Sequence, residues 1–225
     1  MFDGHLRSSV DRAVKPLGDG LRRTRMTPDH LTIAGMVIAI GAAVAIGAGL
    51  LPLGLLLVIL AALPDLLDGA LAKASNTSSQ RGAFFDSVVD RVTDALLFGG
   101  VAWYFTSEHS ARTALLPVAV SAVSQVISYE RAKAESLGLS AKGGLMERAE
   151  RIILLCLGLL FPVLLLPIMW VMLVLTSVTA VQRFVKVWRQ AAVAPVTAAR
   201  IEQRRSRRQS RRSARLDRRA RITRR

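Results

Sequence analysis

Asp65 and Asp68 stand three residues apart, and Asp86 and Asp90 four apart, in or beside runs of apolar residues. Either spacing sets two carboxylates on one face of a helix. A charged side chain at the centre of a bilayer costs about 2.5–3.5 kcal/mol on insertion scales, so acids within apolar helices point to function. Four carboxylates gathered without counter-charge repel one another strongly. One or two divalent cations relieve that repulsion, and an all-oxygen donor set favours Mg²⁺, Mn²⁺ or Ca²⁺ over zinc. Such a centre can polarise a phosphoryl oxygen and stabilise the attacking and leaving oxygens of an in-line displacement. The competing reading is purely structural, with the same acids paired to Lys73, Arg81 and Arg91. Asp94 continues the face one turn beyond Asp90, where it either orients the site or pairs with Arg91.

The elements that must position these acids are long and apolar. No charged residue occurs from Leu31 to Pro64, nor from Ile152 to Gln182. Each run exceeds the ~18 residues that suggest a membrane span and is too long for a single crossing of a core roughly 30 Å thick. Spans are predicted near 28–48, 53–72, 84–105 and 113–134. A fifth begins near Arg148–Ile152 and breaks around Pro162 to Pro167, and a sixth runs to about Trp188. Ahead of them, Phe2, Leu6, Val10, Val14, Leu17 and Leu21 line one face of a helix, and Arg7, Asp11, Arg12, Lys15 and Arg22 the other. That pattern suits a helix lying in the membrane interface. The expected fold class is all-α: an integral membrane bundle of six transmembrane helices with an N-terminal amphipathic interfacial helix. The expected division is an interfacial segment at 1–26, a catalytic transmembrane domain at 27–190 and an Arg-rich, disordered cytosolic tail at 191–225.

Charge supports this arrangement. In the six-span reading thirty of the 31 Lys and Arg residues fall on one side and only Arg112 on the other. The positive-inside rule makes that side the cytosol and puts both termini there. Residues 196–225 hold thirteen Arg and two acids within a chain of net charge +15. Such a tail either binds anionic headgroups of the bilayer or only enforces topology. Nucleic acid is not an expected partner, because the tail lacks interleaved aromatic residues and a folded reader module. The single cysteine, Cys156, excludes an intrachain disulfide, and His5, His30 and His109 have no zinc spacing. Residues 1–26 are charged throughout and lack the apolar core of a cleavable signal.

The stretch from Asp65 reads Asp-Leu-Leu-Asp-Gly-Ala-Leu-Ala-Lys, then eight residues, then Gly-Ala-Phe-Phe-Asp-Ser-Val-Val-Asp ending at Asp90. It resembles the signature of the CDP-alcohol phosphotransferases, D-x-x-D-G-x-x-A-R followed by G-x-x-x-D-x-x-x-D. The resemblance implies a six-span bundle, usually a homodimer, that uses Mg²⁺ (or Mn²⁺) and a CDP-linked lipid donor. It makes Asp65, Asp68 and Asp86 metal ligands, and Asp90 a ligand that also acts as general base on the acceptor hydroxyl. Gly69 and Ala72 match the small positions that let the cytidine nucleotide approach. Ser79 sits where relatives carry a Thr near the nucleotide. Thr27 to Thr32 resembles the motif opening the first span, so Asp29 and Thr32 are expected at the donor nucleotide. For Asp29 a helix cap after Pro28 is the alternative, and both roles are compatible. Lys73 replaces the family's Arg and keeps the charge without the planar fork.

The segment from Ser124 to Leu139, then Gly143 to Arg151, and later Val181 to Arg183, is similar to the actinobacterial phosphatidylinositol phosphate synthases within that family. This similarity implies a bacterial plasma-membrane enzyme that joins CDP-diacylglycerol to inositol phosphate. The matching acceptor-phosphate positions are Ser128, Arg131, Lys133, Arg148, Arg151 and Arg183. A dianionic acceptor drawn to a carboxylate-rich site does need cations beside it. Their alternative is simple obedience to the positive-inside rule. Two rival functions are the same transfer onto glycerol 3-phosphate, and a non-catalytic membrane scaffold or transporter.

Overall fold

The computed structural model describes residues 28–75, 80–108 and 110–192, giving for Pro28 and 64–75 the backbone course only. The predicted interfacial helix at 2–22, Ser79 and the Arg-rich tail lie outside the described residues. Within them the regular structure is entirely helical: α1 (Pro28–Gly47), α2 (Leu51–Ser75), α3 (Gln80–Glu108), α4 (Leu115–Ser136), α5 (Arg148–Leu160) and α6 (Pro162–Ala191).

Proline and acid at its start suit the first helix. Pro28 opens α1, where a missing N–H is harmless, and Asp29 faces the positive end of the helix dipole. Asp29 therefore sits inside the first turn rather than at the capping position. A short turn at Ala48–Leu50 folds α2 back on α1, and α1 packs against both α2 and α3. The close approach of α1 and α3 depends on Gly100, where a Cβ would stand 2.5 Å from the Ala43 carbonyl oxygen. α3 also meets α4, α4 packs on α6, and α5 packs on α6 and α2.

All six helices feed one core. Ile46, Val58, Leu97, Phe98, Val101, Phe105, Val120, Leu155, Leu159 and Met169 are buried in it. The outward faces are apolar as well: Ile33, Val37, Ile40 and Val44 on α1, and Trp170, Val174, Val178 and Val181 on α6, are exposed. Helices apolar on every side require an apolar surrounding. Among the described residues, Asp29–Gly47 and Pro162–Ala191 are long and apolar enough to cross a membrane, and Leu51–Leu63 is a shorter apolar stretch.

The predicted fifth span is shorter than expected. α5 has 13 residues, a rise of about 20 Å. The break falls at Phe161, and Pro167 is absorbed inside α6. Proline at position 162 takes the first turn of α6, where no backbone donor is needed.

The loop between α4 and α5 is fastened to α6. Met146 N donates to Thr179 Oγ1 at 3.0 Å. Ser140 N donates to Gln190 Oε1 at 3.1 Å, and Gln190 Nε2 returns a bond to Ser140 O at 2.8 Å. Lys186 Nζ donates to Lys142 O. Gly144, at φ +156°, lies so close to the Thr179 methyl that any side chain there would collide with it.

Candidate active site

α3 carries Asp86, Asp90 and Asp94 at intervals of one helical turn, each about 6 Å along the axis. Burial deepens along that row. Asp86 is half-buried, the Asp90 side chain is 20 % exposed and that of Asp94 only 2 %. A carboxylate as deep as Asp94 must be paired, and α5 supplies both partners. Arg148 Nε donates to Asp94 Oδ1 at 3.2 Å, and Arg151 Nη2 to Asp94 Oδ2 at 2.8 Å. Arg148 then spans the turn to Asp90, with Nη1 2.9 Å from Asp90 Oδ1.

Of the two readings open for Asp94, orienting the site or pairing with Arg91, the pairing does not hold. Both Asp94 oxygens are taken by α5, and Arg91 folds onto its neighbour Asp90 at 3.5 Å instead. The structural pairing foreseen for the acids thus holds for Arg91, with Arg148 as an unforeseen second partner. Arg81 is exposed.

The start of α5 fixes its arginines. Glu147 precedes the helix in extended conformation, and its N–H donates to Glu150 Oε2 at 3.1 Å in a capping box. Arg148 and Arg151, three apart, then share a face. A cation in the first turn opposes the helix dipole, so Arg148 is held there by Asp90 and Asp94 and not by helix preference.

The remaining acceptor candidates divide. Arg183 is buried: its Nε donates to Gly143 O at 3.0 Å, Nη1 to Ile127 O at 3.3 Å and Nη2 to Glu147 Oε1 at 3.2 Å. Arg131 and Arg151 lie within electrostatic reach of it, as do Glu147 and Glu130. Arginines from α4, α5 and α6 therefore converge on one region. Arg131 is half exposed and bonded to Glu135 at 3.1 Å. Ser128 Oγ donates to Ser124 O at 3.0 Å within α4, and Lys133 is exposed in the last turn of that helix. Three buried polar atoms among the described residues, Arg151 Nε, Glu130 Oε2 and Arg91 Nε, have no hydrogen-bond partner. Buried polar groups are rarely left so, and at a binding site a ligand completes them.

On the donor side, Thr32 is buried and Asp29 half-buried, three residues apart at the head of α1. Asp65, Asp68, Gly69 and Lys73 lie on α2, in the stretch described by its backbone alone. Among the described residues no three acids gather into a metal cluster, since half of the proposed quartet belongs to that stretch. Asp86 and Asp90 nevertheless offer hard oxygen donors on one partly open face. That donor chemistry fits Mg²⁺ or Mn²⁺ and not a thiophilic metal.

A helical bundle with an acid row on α3, met by the arginines of α5, suits an enzyme of phosphoryl chemistry. The chain belongs to the CDP-alcohol phosphatidyltransferase family, whose sequence model matches residues 25–194. Among curated relatives it is 35 % identical over 192 residues to the phosphatidylinositol phosphate synthase of Mycobacterium marinum, covering 81 % of this chain and 82 % of that one. The Mycobacteroides abscessus enzyme of the same name is 36 % identical over 187 residues, covering 79 % and 84 %. The crystal structure of Mycobacterium tuberculosis phosphatidylinositol phosphate synthase with CDP-DAG bound matches with a TM-score of 0.72 at 34 % identity, covering 79 % of this chain and 94 % of that one. The same enzyme in complex with manganese and citrate matches with a TM-score of 0.73 at 33 % identity, covering 78 % and 88 %.

Proposed function

We propose that this chain transfers the phosphatidyl group of CDP-diacylglycerol to 1D-myo-inositol 3-phosphate, giving phosphatidylinositol phosphate and CMP. The observation that carries this reading is the 2.9 Å contact of Arg148 with Asp90. It joins an arginine of the acceptor set to the acid assigned as general base, so the two half-sites are continuous. The unpartnered Arg151 Nε adds a buried donor suited to a phosphate oxygen. The names and bound ligands of the relatives point to the same donor and acceptor class.

In this reading Asp65, Asp68, Asp86 and Asp90 would hold the divalent cation. When bound it supplies Lewis-acid polarisation of the donor diphosphate and neutralises charge built up in the transition state. Asp29, Thr32, Gly69, Lys73 and Ser79 hold the nucleotide. Ser128, Arg131, Lys133, Arg148, Arg151 and Arg183 draw in and orient the acceptor phosphate. Asp90 takes the proton of the acceptor hydroxyl. The freed oxygen attacks the phosphorus bearing diacylglycerol, a new P–O bond forms, and the bond to the CMP oxygen breaks. Positioning and charge stabilisation supply most of the rate, as in other phosphoryl transfers.

The setting is part of the proposal: six spans in a bacterial plasma membrane, both termini cytosolic, a 1–26 interfacial segment, a 191–225 basic tail on anionic headgroups, and a homodimer. The bias of Lys and Arg to one side and the apolar outer faces support it. The deciding experiment is CMP release by purified protein given CDP-diacylglycerol and a panel of alcohol phosphates. Turnover with inositol phosphate upholds the assignment. Preference for glycerol 3-phosphate moves the acceptor, and silence with every acceptor removes the enzymatic reading.

A further inference from the structure

We propose that Glu130 sorts the acceptor: its carboxylate takes hydrogen bonds from the spare hydroxyls of a polyol phosphate whose phosphate goes to the neighbouring arginines. This deepens the reading of the site as one for an alcohol phosphate and rests on it. Glu130 stands three residues after Ile127 and four before Ala134, both buried on α4, so it shares the inward face of that helix. A helical side chain leans back over the turn before it. For Glu130 that turn holds the Ile127 carbonyl, which receives Arg183 Nη1 at 3.3 Å. Glu130 is half-buried, and its Oε2 is a buried atom with no hydrogen-bond partner among the described residues.

The nearby cations do not supply the missing donor. Arg183 lies within electrostatic reach of Glu130, but its Nε, Nη1 and Nη2 donate to Gly143 O, Ile127 O and Glu147 Oε1. Arg131, the next residue in the chain, turns to Glu135. A buried carboxylate oxygen calls for a donor. A phosphate dianion is repelled by it. A hydroxyl suits it, because the bond it donates is charge-assisted and it brings no charge of its own. An acceptor with a phosphate at one end and hydroxyls at the other matches both parts of this surface. A cyclic polyol phosphate keeps several hydroxyls spare after one is used as nucleophile, whereas glycerol 3-phosphate keeps a single one. A site built to bond a substrate hydroxyl discriminates strongly against an analogue that lacks it.

The test is steady-state CMP release by the purified full-length chain at saturating CDP-diacylglycerol, with 1D-myo-inositol 3-phosphate varied and inorganic phosphate as competitor. Glu130→Leu fills similar space and accepts no hydrogen bond. Its KM for inositol phosphate is expected to rise about 10- to 100-fold, the range for a lost hydrogen bond to a charged group. The inhibition constant of inorganic phosphate, which has no spare hydroxyls, should stay the same or fall. Glu130→Gln keeps a carbonyl acceptor and should recover part of the loss. An unchanged KM overturns the proposal. A KM that falls together with the phosphate constant also overturns it, because Glu130 then only tempers the arginines. A parallel rise of both constants refutes it too, since the phosphate subsite is then what was lost. If Glu130→Leu does not fold, Glu130→Gln decides alone: a raised KM with the phosphate constant unmoved upholds the role, and any other pattern refutes it. Wild-type protein that is silent with inositol phosphate brings down the acceptor reading and this inference with it; an active wild type with indifferent variants brings down only the role of Glu130.

Discussion

The Arg183 guanidinium of α6 donates to Glu147 Oε1 at 3.2 Å, and with its other two arms holds the carbonyls of Gly143 and Ile127. One side chain so ties together α4, the loop that follows it, the entry to α5, and α6. A residue chosen for phosphate binding also secures the loop that delivers Arg148.

Substitution at this position should strike both roles at once. Arg183→Met removes the donor to the Ile127 carbonyl, to Gly143 O and to Glu147 Oε1, at about 1–3 kcal/mol for a buried group left unsatisfied. A lowered melting temperature in detergent and a large loss of CMP release are expected together. Arg183→Lys should recover little of either, because a point ammonium cannot replace a planar three-way fork.

Arg131 should behave in the opposite way. It is half exposed, and its bond to Glu135 is a surface i,i+4 pair, worth about 0.3–0.5 kcal/mol. Arg131→Ala should leave the melting temperature almost unchanged while raising the KM for the acceptor phosphate. Steady-state kinetics with the acceptor varied at saturating CDP-diacylglycerol would show it.

Asp90→Asn should abolish measurable turnover with the helical content intact, a fall of about 10²–10⁴-fold from the lost base alone. Circular dichroism and CMP release on the same preparation check both halves of that statement. Normal activity would refute Asp90 as the base.

Chelation should silence the enzyme reversibly. Treatment with EDTA is expected to stop CMP release, and Mg²⁺ or Mn²⁺ to restore it, as oxygen ligands require hard cations. Activity that survives exhaustive chelation would remove the carboxylates from the role of metal ligands.

Gly100 and Gly99 offer a test of packing. A methyl at Gly100 meets the Ala43 backbone, which cannot give way locally, whereas one at Gly99 meets nothing within 4 Å. Gly100→Ala should destabilise the fold by about 1–3 kcal/mol, in the range of other overpacking changes. Gly99→Ala should be neutral in the same thermal melt.

Helices and acids were legible in the chain because both are local signals. Unbroken apolar runs, Pro28 at a helix start and the three- and four-residue spacing of the aspartates depend on neighbours a turn or two away. Asp94 announced itself as a buried acid but not its partners, which lie 54 and 57 residues further on. Arg183 stood out through the family resemblance alone, and its bonds to backbone carbonyls leave no trace in a side-chain pattern. Pro167 read as a break because proline usually is one. So near the start of α6 its ring costs one backbone bond, to which the surrounding packing of Leu165, Ile168 and Met169 is indifferent.

The paired bonds between Gln190 and Ser140 fix where the chain leaves α6. Anything attached beyond Ala192, whether an affinity handle, a reporter domain or a tether to a surface, begins its path against the loop that leads into Arg148. Fusions made at a shortened C-terminus would therefore crowd the enzyme's working end, and a linker long enough to clear it, or attachment elsewhere, is the sounder choice for purification and imaging.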